Sequence, residues 1–130
     1  MKFTKLTPNL VVRDVQAAVQ FYQSVLGFRL AIKVPDAPPY VFASVTNGDV
    51  EIFFNDQKAV AEDYPPLAND PIGGTMTLFL ECEGIEGILR MVERSGMRVV
   101  MPLKTQFYGM REFAFVDPQG WTVTIAERLK

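Results

Sequence analysis

The sequence predicts an α+β fold of two tandem βαβββ units, with curved mixed sheets around a cavity and the helices on the outer face. Three observations predict it. The same order of apolar patterns (strand, helix, three strands) occurs twice along the 130 residues. Each helical stretch carries a single apolar face and is followed by a glycine, Gly27 in the first half and Gly96 in the second. One long turn-rich stretch, with Tyr64-Pro65-Pro66, Asn69-Asp70-Pro71 and Gly73-Gly74, separates the halves. The units are expected at about 1–55 and 74–130, with a linker at 56–73. Neither half buries enough apolar surface to stand alone, so the two form a single domain or share a core between chains.

Residues 3–12 read as the first strand, at an edge or broken near Pro8, which has no amide donor. Asp14 is a natural N-cap. Behind it Val15, Ala18, Val19, Tyr22 and Val25 recur at spacings of three and four, one face of a helix. Strands follow at 28–34, 39–46 and 49–55, the last two joined through Asn47-Gly48, a pair that tolerates positive φ. The second half repeats this with a strand at 75–82, a helix at 84–95 with Ile85, Ile88, Leu89 and Val92 on one face, and strands at 97–103, 110–116 and 121–127. Asp117-Pro118-Gln119-Gly120 makes the last turn.

Side chains alternate across a strand, so parity sorts them between faces. Leu6, Leu10 and Val12; Val50, Ile52 and Phe54; Met76, Leu78 and Leu80; and Trp121, Val123 and Ile125 are continuous apolar sets that belong under the helices. The opposite sets mix Thr7, Asn9, Glu51, Thr75, Thr77, Thr122 and Thr124 with Phe53 and Phe79. Apolar walls with a few polar anchors are the composition of a small-molecule cavity.

Composition narrows the chemistry. The chain has no histidine, which removes Ser/His/Asp and Cys/His nucleophile systems and histidine-ligated zinc or iron. The single cysteine, Cys82, excludes an intrachain disulfide. Thirteen basic and fifteen acidic residues leave a net charge of −2, which argues against a nucleic-acid partner. No run approaches the roughly 18 apolar residues of a membrane span, and no secretory leader opens the chain; a cytoplasmic protein is expected.

The segments Val12-Arg13-Asp14-Val15 with Phe21-Tyr22-Gln23-Ser24-Val25-Leu26-Gly27-Phe28, and Gly109-Met110-Arg111-Glu112-Phe113 with Asp117-Pro118-Gln119-Gly120, resemble the first helix and last hairpin of the vicinal oxygen chelate superfamily. That superfamily holds glyoxalase I, extradiol dioxygenases and bleomycin-resistance proteins. Glu127 sits where the family often has a terminal glutamate, and Trp121 departs from the smaller polar residue that commonly follows the glycine. The resemblance covers essentially the whole chain and is strongest to the bleomycin-resistance branch. By that resemblance, the metal-binding positions of the metal-dependent members fall on Thr7, Glu51, Thr75 and Thr124. One carboxylate and three hydroxyls do not hold a divalent transition ion tightly. The resemblance therefore implies no metal, no cofactor, a bound small molecule and a homodimer.

The expected ligand-binding residues are Thr7, Asn9, Phe42, Glu51, Phe53, Thr75, Thr77, Phe79, Tyr108, Arg111 and Thr124. Glu51 is the anchor for a cationic ligand, or a base if burial raises its pKa. Glu51 with Tyr108 is the candidate pair for metal-free acid–base chemistry, the alternative to sequestration. The aromatics serve as stacking walls. Arg111 either binds an anion or makes a structural pair with its neighbour Glu112. Cys82 is expected to be inert, because nearby carboxylate raises a thiol pKa.

Overall fold

The computed structural model describes every residue from Met1 to Lys130. The chain divides into two compact units, Met1–Asp70 and Pro71–Lys130. The first contains β1 (Asn9–Val12), α1 (Val15–Ser24), β2 (Arg29–Val34), β3 (Phe42–Asn47), β4 (Val50–Asp56) and a short α2 (Gln57–Val60). Its sheet runs β1-β4-β3-β2, with β1 parallel to β4 and the other pairs antiparallel. The second contains β5 (Thr77–Glu81), α3 (Ile85–Arg94), β6 (Val99–Thr105), β7 (Met110–Val116) and β8 (Thr122–Arg128). Its sheet repeats the pattern as β5-β8-β7-β6, again with only the first pair parallel. Both units are βαβββ, as the repeated pattern predicts. No helix is long and apolar enough to cross a membrane.

In the first unit, α1 starts where Asp14 accepts the Ala17 amide at 3.0 Å. Val15, Ala18, Val19 and Tyr22 are buried on its inner face. They meet Leu10, Val12, Ala43, Val45, Ile52 and Phe54, all at 1 % exposure or less. Tyr22 lies 5.0 Å from Phe54 between ring centroids. Burying a side chain such as Phe54 contributes about 1.5–3 kcal/mol. In the second unit Ile85 and Val92 of α3, with Phe113, Phe115, Val123 and Ile125 of β7 and β8, form the matching core.

Several boundaries differ from the sequence reading. The first strand begins only at Asn9, and Leu6, expected under the helix, is exposed, as is Phe3. Pro8 has no amide donor, so the segment before it touches the sheet through its carbonyl, which accepts from Phe53 N at 2.9 Å. The hairpin loop is Gly48-Asp49, one residue later than expected, because Asn47 still pairs with Val50. Positive φ occurs at Gly48 and not at Asn47, matching turns that take glycine at the first central position. The stretch expected as a linker from residue 56 instead holds α2 and a 3₁₀ turn at Pro65–Ala68. Asp56 caps α2 by accepting Ala59 N, and the Gln57 amide donates to Leu67 O and Asp70 O, each at 3.0 Å. Those bonds hold the segment to the first unit. Met76 and Trp121 lie just outside β5 and β8, and Met76 is half exposed.

Candidate functional site

Register assigns each residue to a face. In the first unit Leu10, Phe54 and Ala43 stand side by side, as do Ile52 and Val45, on the face packed by α1. The opposite face carries Asn9, Phe42, Ser44, Glu51, Phe53 and Asn55. A register shift between Leu30 and Ile32 turns β2, so Ile32 sits opposite Ser44 and Val34 opposite Phe42 on that same face. Ile32 and Val34 are 50 % and 46 % exposed.

The polar groups of this open face are organised diagonally across neighbouring strands. Ser44, fully buried, donates its hydroxyl to Glu51 Oε2, and Lys5 pairs with Glu51 Oε1. Asn55 Nδ2 donates to Asn9 Oδ1. Beside them Phe42 and Phe53 meet edge-on, 5.2 Å between centroids. The Glu51 side chain is 17 % exposed. Hydrogen bonds from Lys5 first and Ser44 second hold its carboxyl below the ordinary value, against the smaller opposing effect of burial. The raised pKa that would make Glu51 a base near neutral pH is therefore absent, and it stands as a carboxylate with Lys5 on one oxygen and Ser44 on the other.

In the second unit the face away from α3 carries Thr77 and Phe79 of β5, Thr122 and Thr124 of β8, and Glu112 and Ala114 of β7. Thr77 pairs with Thr122 and Phe79 with Thr124. Phe79 is half exposed and Thr124 is buried. Glu112, at 3 % exposure, accepts the Tyr108 hydroxyl at 2.6 Å. That bond, then burial, raises the Tyr108 pKa, so its proton is held more firmly than in a free phenol. Tyr108 also meets Phe107 edge-on at the exposed tip of the β6–β7 hairpin.

Of the residues singled out from sequence, Asn9, Phe42, Glu51 and Phe53 come together on one sheet face, and Thr77, Phe79 and Thr124 on the other unit's. Thr7 precedes β1 and Thr75 precedes β5, both outside the paired strands. Tyr108 lies in the loop before β7 and reaches the second face through Glu112. Arg111 alternates to the helix side, where it pairs with Glu86 of α3. The neighbour expected to pair with it, Glu112, points to the opposite face, as adjacent strand residues must. Glu127 also faces α3 and accepts Gly84 N at 2.7 Å and Ile85 N at 3.4 Å. It caps a helix whose own N-cap is a glycine with no side chain. Cys82 is pushed up to about 11 by burial first, then by Glu127 and Glu86. The carboxylates that add to the effect of burial come from β8 and α3 and not from its chain neighbour.

The sequence reading missed Lys5 and Ser44, the partners of Glu51, and Asn55, the partner of Asn9. Ser44 carried a signal: it is the polar residue on the non-core parity of β3. Lys5 carried none, being 46 residues from Glu51. The donor set does not fit a metal: no group of three or more His, Cys, Asp or Glu converges anywhere. At the positions the resemblance marks, only Glu51 bears a carboxylate, and it is already taken by Lys5 and Ser44.

Residues 5–125 match the family model of the glyoxalase/bleomycin resistance protein/dioxygenase superfamily. A bleomycin resistance protein from Geobacillus stearothermophilus is 27 % identical over 133 aligned residues, covering 95 % of this chain and 96 % of that protein. Among solved structures, a glyoxalase/bleomycin resistance protein/dioxygenase family enzyme from Burkholderia phytofirmans superposes with a TM-score of 0.79 at 21 % identity, covering 95 % of this chain and 97 % of that one. One from Nocardioides gives 0.77 at 24 % identity over 100 % of this chain and 86 % of that one.

Proposed function

The chain belongs to the glyoxalase/bleomycin resistance protein/dioxygenase superfamily, and on that premise we propose that it is a metal-independent small-molecule binding protein that sequesters its ligand in a groove. The ligand rests on the open face of the β1–β4 sheet. The observation that carries this is the Glu51 carboxylate, held by Ser44 and Lys5 beside the edge-on Phe42–Phe53 pair. Aromatic walls with one charged acceptor suit a flat, largely apolar molecule bearing a cation. The Lys5 ammonium marks the place such a cation takes. Similarity to bleomycin resistance proteins supports the same reading and supplies a probe.

Acid–base catalysis by Glu51 and Tyr108 is the weaker alternative. Glu51 is held ionised and Tyr108 is held protonated, so neither sits near neutral pH, where proton transfer is efficient. A homodimer is part of the proposal, because Ile32 and Val34 in one unit and Phe79 in the other leave apolar surface uncovered on the open faces.

The test is a titration of bleomycin in chelator-treated buffer against wild type, Glu51→Gln, Lys5→Ala and Arg111→Gln. Loss of one charged acceptor weakens binding roughly ten- to a hundred-fold. Lys5→Ala, which removes the internal competitor, tightens it. Arg111→Gln, on the helix face, leaves it unchanged. No binding, or binding lost in Arg111→Gln and kept in Glu51→Gln, overturns the proposal. A sedimentation mass of a monomer at micromolar concentration removes the dimer.

A further inference from the structure

We propose that Asn9 and Asn55 form an amide-recognising end of the ligand face, so that the molecule bound there carries a carboxamide or ring amide at the end opposite its cation. This rests on the reading that the ligand lies on the open face of the β1–β4 sheet, and it adds a second anchor to Glu51. The placement follows from strand register. β1 and β4 are parallel, with Asn9 beside Phe53 and Val11 beside Asn55, so Asn9 and Asn55 are diagonal neighbours on one face. Along β4 that face presents Glu51, Phe53 and Asn55 in turn. Four residues of strand separate Glu51 from Asn55, about 13 Å. Phe53 therefore lies between a carboxylate at one end and two amides at the other. Phe42, opposite Asn55 on β3, meets Phe53 edge-on and widens the aromatic floor.

The two amides are only half used by the chain. A side-chain amide has one oxygen acceptor and two N–H donors. Asn55 Nδ2 donates to Asn9 Oδ1, and no bond returns from Asn9. Asn9 Nδ2 and Asn55 Oδ1 have no partner within the chain. The single bond holds the pair together and leaves a donor beside an acceptor on the open face. An amide of a ligand carries the complementary edge. Its oxygen accepts from Asn9 Nδ2 while its N–H donates to Asn55 Oδ1.

The fold itself does not call for these residues. Asparagine is disfavoured in strands, yet two occupy one face of one sheet. The second unit shows what the same positions need. Leu10 precedes α1 by five residues and Leu80 precedes α3 by five; Phe54 pairs with Leu10 and Ile125 with Leu80. The counterparts of Asn9 and Asn55 are therefore Phe79 and Ala126. Neither side chain has a polar group, and the same βαβββ unit forms around them.

The experiment is a calorimetric titration at pH 7 with two probes. One is a biphenyl with an aminomethyl group at one para end and a carboxamide at the other. The second replaces the carboxamide by an acetyl group, which keeps the shape and the carbonyl oxygen and loses the N–H. Wild type should bind the carboxamide about ten-fold more tightly, because the acetyl methyl leaves Asn55 Oδ1 without a donor. In Asn55→Leu the ratio of the two affinities falls to about one. In Asn9→Leu both probes weaken, since both offer a carbonyl oxygen to Asn9 Nδ2. Glu51→Gln weakens both and keeps the ratio. Equal affinities in wild type, or a ratio that survives Asn55→Leu, overturn the amide subsite while Glu51-dependent binding still supports the ligand face. Binding of neither probe overturns both. Asn9 is exposed, so Asn9→Leu keeps the fold and provides a test independent of how Asn55→Leu behaves.

Discussion

Replacing Glu127 tests the coupling between the end of β8 and the start of α3, and it has two independent readouts. Gly84 occupies the N-cap of α3 and provides no side-chain acceptor, so Glu127 supplies both oxygens, one 2.7 Å from Gly84 N and one 3.4 Å from Ile85 N. Removing an N-cap acceptor costs about 1 kcal/mol, within a range of roughly 0.5–2 kcal/mol. For a chain of this size that is a fall of about 3–5 °C in Tm. Glu127→Ala should show the full loss, and Glu127→Gln, which keeps a carbonyl oxygen, a smaller one. The second readout is Cys82, whose thiol is held at about 11 by burial first and by Glu127 second. In Glu127→Gln its pKa should fall, yet stay above the ordinary 9.0, because burial remains. The rate of alkylation by iodoacetamide against pH reports that value directly. The same raised value has a consequence for stability in the parent chain. The folded thiol titrates above the unfolded one, so its contribution is present below the ordinary thiol value and is lost as pH rises toward 11. A Cys82 pKa unchanged in Glu127→Gln, together with an unchanged Tm in Glu127→Ala, would refute the reasoning.

Acid should dissolve the Lys5–Glu51–Ser44 cluster. The folded Glu51 carboxyl lies below its ordinary value of 4.5, so its contribution is complete above that value and disappears as pH falls through the lower folded one. Urea midpoints of wild type and Glu51→Gln should therefore differ at pH 7, with a gap that narrows as pH falls below 4.5; a gap that does not narrow in acid speaks against the ionic contribution. Gly73→Ala should destabilise by more than an ordinary loop substitution. Its φ is +103° and a Cβ there would collide with the Gly120 carbonyl. Thermal unfolding measures this, and a Tm equal to wild type contradicts the geometry.

The fold was legible because alternation and the three-four spacing respond to burial, and burial dominates the centres of these sheets. Ile52, Phe54, Val123 and Ile125 all lie where parity put them. Parity failed at Leu6 and Met76, where the strand had not yet begun, and at Val50, the first residue of β4, which is exposed beside the hairpin loop. An apolar residue outside a ladder has no face to belong to. The short α2 was hidden for a different reason: four residues leave no periodicity to detect, and its cap, Asp56, is also the last residue of β4. At the candidate site, Glu51 and Phe53 could be placed on one face from their own strand. Their partners could not, because Ser44 and Lys5 reach Glu51 through strand pairing and chain return, which local sequence does not encode.

The two halves share one topology, and their differences lie in how each handles its charged side chains. Both put a helix after the first strand, yet α1 is capped from within by Asp14 and α3 from across the sheet by Glu127. A remote cap requires the carboxylate to face the helix, and the Arg111–Glu86 pair lies on that same side. The second unit thus commits Glu127 and Arg111 to holding α3 on its sheet. In the first unit strand parity puts Glu51 on the face opposite α1, with Ser44 fully buried beside it. A buried hydroxyl that donates to a carboxylate fixes the direction of that carboxylate before any ligand arrives, which lowers the ordering cost of binding. The hydroxyls of Thr77, Thr122 and Thr124 on the second face line up with no charged acceptor bonded to them. The duplicated architecture is therefore unequal in its charges: Glu51 has Thr122 as its counterpart in the second unit, while Glu127 has Asp56 in the first, which caps its own α2.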